Sequence, residues 1–170
     1  MLLRTWSYSD LPCIEEASKD PVIQFGTTVP SECSEEAGRA FIDRQQGRWT
    51  SGEGLSLAMV EKRTDTAAGL ICLLHRQQPG VVGVGYWVVA SRRKRGLTLS
   101  SLTLLSQWAL RLSLVNRLEA LVDPGNAASI RVLEGAGFRR EGLLRSYMDV
   151  EGHRGDALLY ALLESDIDLD

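Results

Sequence analysis

What this sequence lacks removes several classes of protein before any motif is considered. Cysteine is scarce: Cys13, Cys33 and Cys72 are an odd number at wide spacings. They fit neither a disulfide framework nor a C-x-x-C metal or redox pair, and a reduced, cytoplasmic setting is expected. Histidine occurs twice and no residue set has metal-ligand spacing, so no metal is expected. An excess of positive charge is also missing. With 19 Lys and Arg against 22 Asp and Glu, net charge −3, there is no overall basic field to drive sequence-independent nucleic-acid binding. Long apolar runs are absent too: VVGVGYWVVA reaches only about half the length a membrane helix needs. The opening MLLRTWSYSD carries an arginine at position 4 and no apolar signal region, so a soluble chain without a membrane partner is expected.

What is present is an ordinary globular composition, 44% hydrophobic and 24% charged over 170 residues, enough for one domain over 1–170 with a real core. After a short extended start, Ser9 or Asp10 offers a cap for a first helix, and Ser31 or Ser34 for a second. DPVIQFGTTVP between them shows no period and reads as irregular. The apolar runs 55–61, 67–74 and 81–89, separated by turn-like KRTDT and HRQQPG, form an antiparallel meander. From Leu97 the spacing changes: Leu102, Leu105, Trp108, Ala109 and Leu112 recur every three or four residues as the inner stripe of a helix. RLEALVD (117–123) alternates as a strand. In PGNAASIRVLEGAGF, Asn126 caps a short helix with Ile130 and Leu133 inward, and Gly137 stands where a left-handed residue ends it. Two last strands follow, joined by the polar turn EGHRGD. This order predicts an α+β sandwich on a mixed sheet.

The strand-to-helix junction at SRRKRGLTLS places four cations, Arg92 to Arg95, before Gly96 and a helix start. Free amides and the positive helix end make such a junction a phosphate site. A run of this kind is also commonly a solvated turn, and the residues alone leave both readings open.

The segment about 30 residues further on adds context. Arg93, Lys94, Arg95, Gly96, Leu97 and Thr98 occupy in order the six places of a Q/R-x-x-G-x-G/A loop, and Asn126 to Phe138 match N-x-A-S-x-R-V-L-E-x-x-G-F throughout. G-x-L-R at 142–145, then Gly155, Asp156 and Tyr160, extend the pattern. With these motifs the chain resembles the GNAT acyltransferase superfamily, in the branch of the N-terminal acetyltransferases of ribosomal proteins. The resemblance covers residues 55–165 well; the first fifty match only in helix placement. Thr98 departs from the small residue usual in the last place, and Lys94 replaces a glycine frequent in this branch.

The resemblance implies a mostly antiparallel mixed sheet with two splayed central strands, GYWVV and LEALV, and acetyl-CoA as co-substrate. Its pantetheine arm would pair with main-chain atoms of Trp87 and Val88, and its pyrophosphate would sit on the amides of residues 94 to 98. The implied reaction is direct transfer of an acetyl or other short acyl group to a primary amine of a protein N-terminus or a small molecule. A backbone N–H near Val88 or Val89 would meet the oxyanion. Glu119 would be the base, although it also reads as a partner of Arg117 or Arg145. The tyrosine that acts as acid in many relatives is Leu133 here; Ser129 takes that role in this branch, and also reads as plain capping chemistry with Asn126. Asn126 itself is implied to contact CoA. Phe25, Gln24, Thr28, Trp49 and Glu53 fall where relatives border the acceptor pocket, and a homodimer is common in the branch. Two other classes compete: a CoA-binding module without catalysis, suggested by Lys94, Thr98 and Leu133, and an RNA- or ribosome-binding protein using Arg92 to Arg95.

Overall fold

Short apolar runs set the strands, and in a computed structural model describing residues 1–150 and 153–167 they fall close to those runs. They are β1 (Leu2–Arg4), β2 (Gly54–Glu61), β3 (Thr66–His75), β4 (Val81–Val88), β5 (Arg117–Val122), β6 (Arg139–Val150) and β7 (His153–Leu163). The sheet is mixed, in the order β1-β2-β3-β4-β5-β7-β6. β1 with β2, β2 with β3, β5 with β7 and β6 with β7 are antiparallel; β4 with β5 is parallel. A parallel pair needs a long crossover, and residues 89–116 supply one. Residues 151 and 152 of the expected EGHRGD turn lie outside the described residues.

The helices are α1 (Leu11–Ser18), α2 (Pro21–Gln24), α3 (Glu35–Gly47), α4 (Leu97–Leu110) and α5 (Ala127–Gly135). Of the two serines that could start α3, Ser34 is the cap, accepting from Ala37 N. α1 begins at Asp10, but the Asp10 carboxylate turns back to Ser7 N and Arg4, so α1 has no side-chain cap. The stretch expected to be irregular holds α2 instead, started by Asp20 on Val22 N with Pro21 in its first turn. Four residues are too few to show a period.

Contacts group the chain into two compact units, residues 1–74 with 85–101, and 75–84 with 102 onward. The first is built on Trp6, Ile14, Phe41, Ile42, Ala58, Val60 and Trp87. The second buries Leu102, Leu105, Leu118, Leu133, Phe138, Tyr160 and Leu162. On α4 the stripe is rotated from expectation: Leu102, Leu105 and Ala109 are buried with Ser101, Ser106 and Leu110, whereas Trp108 and Leu112 are exposed. Leu112 lies past the helix end. None of the three cysteines is in a disulfide, and burial pushes the Cys13 thiol far above its usual pKa. Among the described residues no helix is long and apolar enough to cross a membrane.

Candidate active site

In the first unit, the chain leaves β4, makes a single turn over Ala90–Arg92, and enters α4 at Leu97. Two residues between adopt left-handed backbone, Lys94 (φ +61°) and Gly96 (φ +72°). Lys94 accepts a conformation that normally calls for glycine. Among the described residues no backbone N–H from Lys94 to Thr98 donates to another protein group. These amides line the positive end of a fourteen-residue helix, and a side chain built at Gly96 would meet nothing within 4 Å. Successive free amides around left-handed residues at a helix start form an anion cradle. The donor set suits a diphosphate.

The cations beside this cradle are largely committed elsewhere. Arg92 and Arg95 each bond Glu61 at 2.9 Å, on its two different oxygens. Arg93 pairs with Asp20, and its Nε donates to the Val88 carbonyl at 3.1 Å. Glu16 accepts from Ser91 through both N–H and hydroxyl at 2.9 Å. Lys94 is the one cation of the four without a carboxylate partner among the described residues. The arginines brace the loop from the α1–α2 junction and β2, and Ser91 braces it from α1. Glu16, Asp20 and Glu61 were not singled out from the sequence; the only hint was a four-cation run in a chain of negative net charge.

β4 orients its last residues by the same bonding. Val89 N donates to Ala68 O at 2.9 Å, on β3. Strand alternation therefore turns the main-chain groups of Trp87 toward β3 as well, and those of Val88 away from it. The Trp87 carbonyl would lie 2.1 Å from a side chain at Gly69 on β3. Of the two residues expected to offer main-chain atoms to pantetheine, the geometry thus leaves Val88 on the outer edge and turns Trp87 inward. For the oxyanion it likewise leaves Val88 N–H, since Val89 N–H is used. Described pairing of β4 with β5 ends at Gly83↔Glu119, although β4 continues to Val88.

In the second unit, Glu119 is half-buried on β5, and its Oε1 accepts from Arg117 Nε at 2.7 Å. Arg117 also forks onto both oxygens of Glu141. That fork, with Glu119 second, raises the Arg117 pKa, and Arg117 in turn lowers the Glu141 pKa. Of the two cations weighed for Glu119, Arg117 is the one bonded. Asn126 caps α5, its Oδ1 accepting from Ser129 N at 3.0 Å. Leu133, at the place of the acid of many relatives, is buried in the core at 1% exposure. Tyr160 gives its hydroxyl to Glu134 at 3.0 Å, and burial followed by that bond raises its pKa. Phe25 and Trp49 are exposed. Among the described residues no group of three or more His, Cys, Asp or Glu is arranged to hold a metal ion.

Comparison with known proteins finds relatives along most of the chain. The uncharacterized N-acetyltransferase p20 of Bacillus licheniformis is 24% identical over 96% of this chain and 93% of its own length. The probable N-acetyltransferase YjcK of Bacillus subtilis is 28% identical over 77% of this chain and 74% of its own. Mycobacterium smegmatis RimJ, solved in complex with CoA-disulfide, shares the fold at TM-score 0.84 and 22% identity, over 99% of this chain and 84% of that one. The model of the acetyltransferase (GNAT) domain matches residues 1–139, most of the molecule, and the chain belongs to the GNAT acetyltransferase family.

Proposed function

We propose that this acetyltransferase moves an acetyl group from acetyl-CoA to a primary amine, of a protein N-terminus or a small molecule, by direct attack in a ternary complex. The observation that carries the donor side is the row of unpaired amides from Lys94 to Thr98 at the start of α4. They receive the pyrophosphate, with Lys94 as the cation without an internal carboxylate among the described residues and the Thr98 hydroxyl as a further donor. The thioester supplies the electrophilic carbonyl and the thiolate leaving group. Val88 N–H meets the charge developing on the carbonyl oxygen. Glu119 takes the amine proton, directly or through water, while Arg117 fixes its orientation through one oxygen. The Ser129 hydroxyl contacts the leaving thiolate and relays to it a proton taken up from water, so that the serine ends neutral, and Asn126, at the head of α5, contacts the donor.

Acetyl-CoA at saturation is expected to raise the melting temperature, since a ligand at 100 times its Kd adds about 2.7 kcal/mol. Gly96→Asp, which places a carboxylate in the cradle and a side chain at φ +72°, should abolish the shift. Unchanged melting of the parent protein would remove the donor site. Release of free CoA over an amine panel then separates an enzyme from a module that only binds CoA.

A further inference from the structure

Away from the groups used above, α4 and the turns after it are unusual for what their outer side lacks. Over residues 97–116, LTLSSLTLLSQWALRLSLVN, Arg111 is the only charged residue, where a solvated stretch of that length carries about five. A surface helix ordinarily turns charged residues to water and buries an apolar stripe. In α4 the buried stripe is Leu102, Leu105 and Ala109, and the side turned to solvent is apolar as well: Leu104 is 51% exposed and Trp108 44%. These two stand one turn apart on one face. Arg111 N donates to Trp108 O and Leu112 N to Ala109 O, at 3.3 and 3.0 Å, which carries the coil past the helix end. Leu112, 39% exposed, therefore continues the line by another turn, and Leu114 beyond it is 84% exposed. All four belong to the second unit.

Single exposed leucines are ordinary, whereas a line of apolar side chains with a tryptophan at its middle and no charge among them is not. The four expose on the order of 400 Å² of apolar surface, a size at which patches mark interaction sites. Whatever covers this face must itself be uncharged. Nucleic acid and strongly charged peptides would bring charges that nothing here pairs. Helices that lie on lipid carry several lysines and arginines along their polar side; Arg111, at the negative end of the α4 dipole, is a single cation. A second copy of the same face, in contrast, meets neutral surface with neutral surface and leaves no charge unpaired at the centre. We propose that two copies of this chain pair through α4 about a two-fold axis, with Trp108 as the anchor. In an antiparallel arrangement Trp108 of each copy lies over Leu104 of the other, and Arg111 falls at the rim. The two patches together bury on the order of 800 Å², and the neutral Thr103, Gln107 and Ser113 beside them bring the total near 1,200 Å², the lower end for specific interfaces. A dimer that dissociates on dilution follows. Pairing of this kind is independent of the acetyl-transfer chemistry.

The test is the mass in solution. Light scattering of the parent through a dilution series should read twice the chain mass, falling to once on dilution, and the melting temperature should rise with protein concentration. Trp108→Glu places a carboxylate at the centre of the face. It should weaken association by at least about tenfold, read the chain mass where the parent is dimeric, and melt at a temperature that no longer depends on concentration. Leu104→Lys, one turn earlier, should do the same; both positions are exposed, and far-UV circular dichroism checks that each variant is folded. An equal mixture of Trp108→Glu and Leu104→Lys should recover dimer, because the antiparallel pairing sets the new carboxylate against the new ammonium and keeps one Trp108–Leu104 contact intact. Tyr147→Glu, at an exposed aromatic of β6, should leave the parent's mass unchanged. A parent at the chain mass throughout, a dimer that persists in both α4 variants, or a mixture that stays at the chain mass would each overturn the pairing. A monomeric parent that floats with phosphatidylcholine vesicles, and does not in Trp108→Glu, would overturn it in favour of a lipid surface.

Discussion

Glu119 carries the sharpest question among single residues, because one of its oxygens is spent on Arg117. A base that shares a guanidinium with Glu141 is well oriented, and its second oxygen remains for a proton. Glu119→Gln keeps the shape and the bond from Arg117 but cannot take a proton. It is expected to lower kcat by on the order of 10²–10⁴ with little change in KM, the range of a lost general base. Steady-state rates for the parent and variant decide it, and a kcat within about threefold would leave Glu119 a partner of Arg117 only. The sequence brought this choice into view, since RLEALV puts Glu119 two residues from Arg117 on one face of a strand. It did not choose between Arg117 and Arg145, because that depends on β7 placing β6 beyond β5 and so bringing Glu141 within reach of Arg117.

Elements explain the phosphate loop better than its own residues do. The basic run reads as a charged patch in sequence, but its arginines are struts to Glu61 and Asp20. Glu61 ends β2 and Asp20 starts α2, so two elements far away in the chain hold the cradle open. This reverses a net-charge expectation. Removing a negative charge beside an anion site ordinarily tightens binding, whereas Glu61→Gln frees Arg92 and Arg95 and lets Lys94 leave its left-handed conformation. Weaker acetyl-CoA binding, by about tenfold or 1.4 kcal/mol, is expected by calorimetry; tighter binding would show that the struts do not set the loop. A second element-scale prediction concerns β3 and β4. A methyl at Gly69 would sit 2.1 Å from the Trp87 carbonyl, so Gly69→Ala must push the strands apart. A cost of about 1–3 kcal/mol, the usual range for overpacking, should appear as a lower midpoint in urea unfolding. The strands' places along the chain were legible because β2 to β4 are apolar runs bounded by turn residues and β5 alternates, whereas the sheet order, with β7 between β5 and β6, was not. α2 and the rotation of α4 were not, as a four-residue helix has no period and Ser101 and Ser106 look like surface residues until they are seen buried.

At the scale of the whole molecule, family membership was legible in two short segments, while the match that establishes it runs from residue 1 to 139. The first fifty residues contribute packing and the loop contacts of Glu16 and Asp20, neither of which has a fixed sequence pattern. The same scale decides the competing nucleic-acid reading. Binding to phosphate backbones depends on cations free to displace counterions, and log K falls with log salt by about 0.7 for each phosphate neutralised on a single strand. Of the four cations at 92–95, only Lys94 lacks an internal carboxylate among the described residues, and the net charge is −3. Retention of single-stranded RNA should therefore be weak, with a slope no steeper than about −0.7 and no change in Arg92→Gln. A slope several times steeper that flattens in that variant would mean the arginines leave Glu61 and Asp20 for RNA, and the loop would then serve a second ligand.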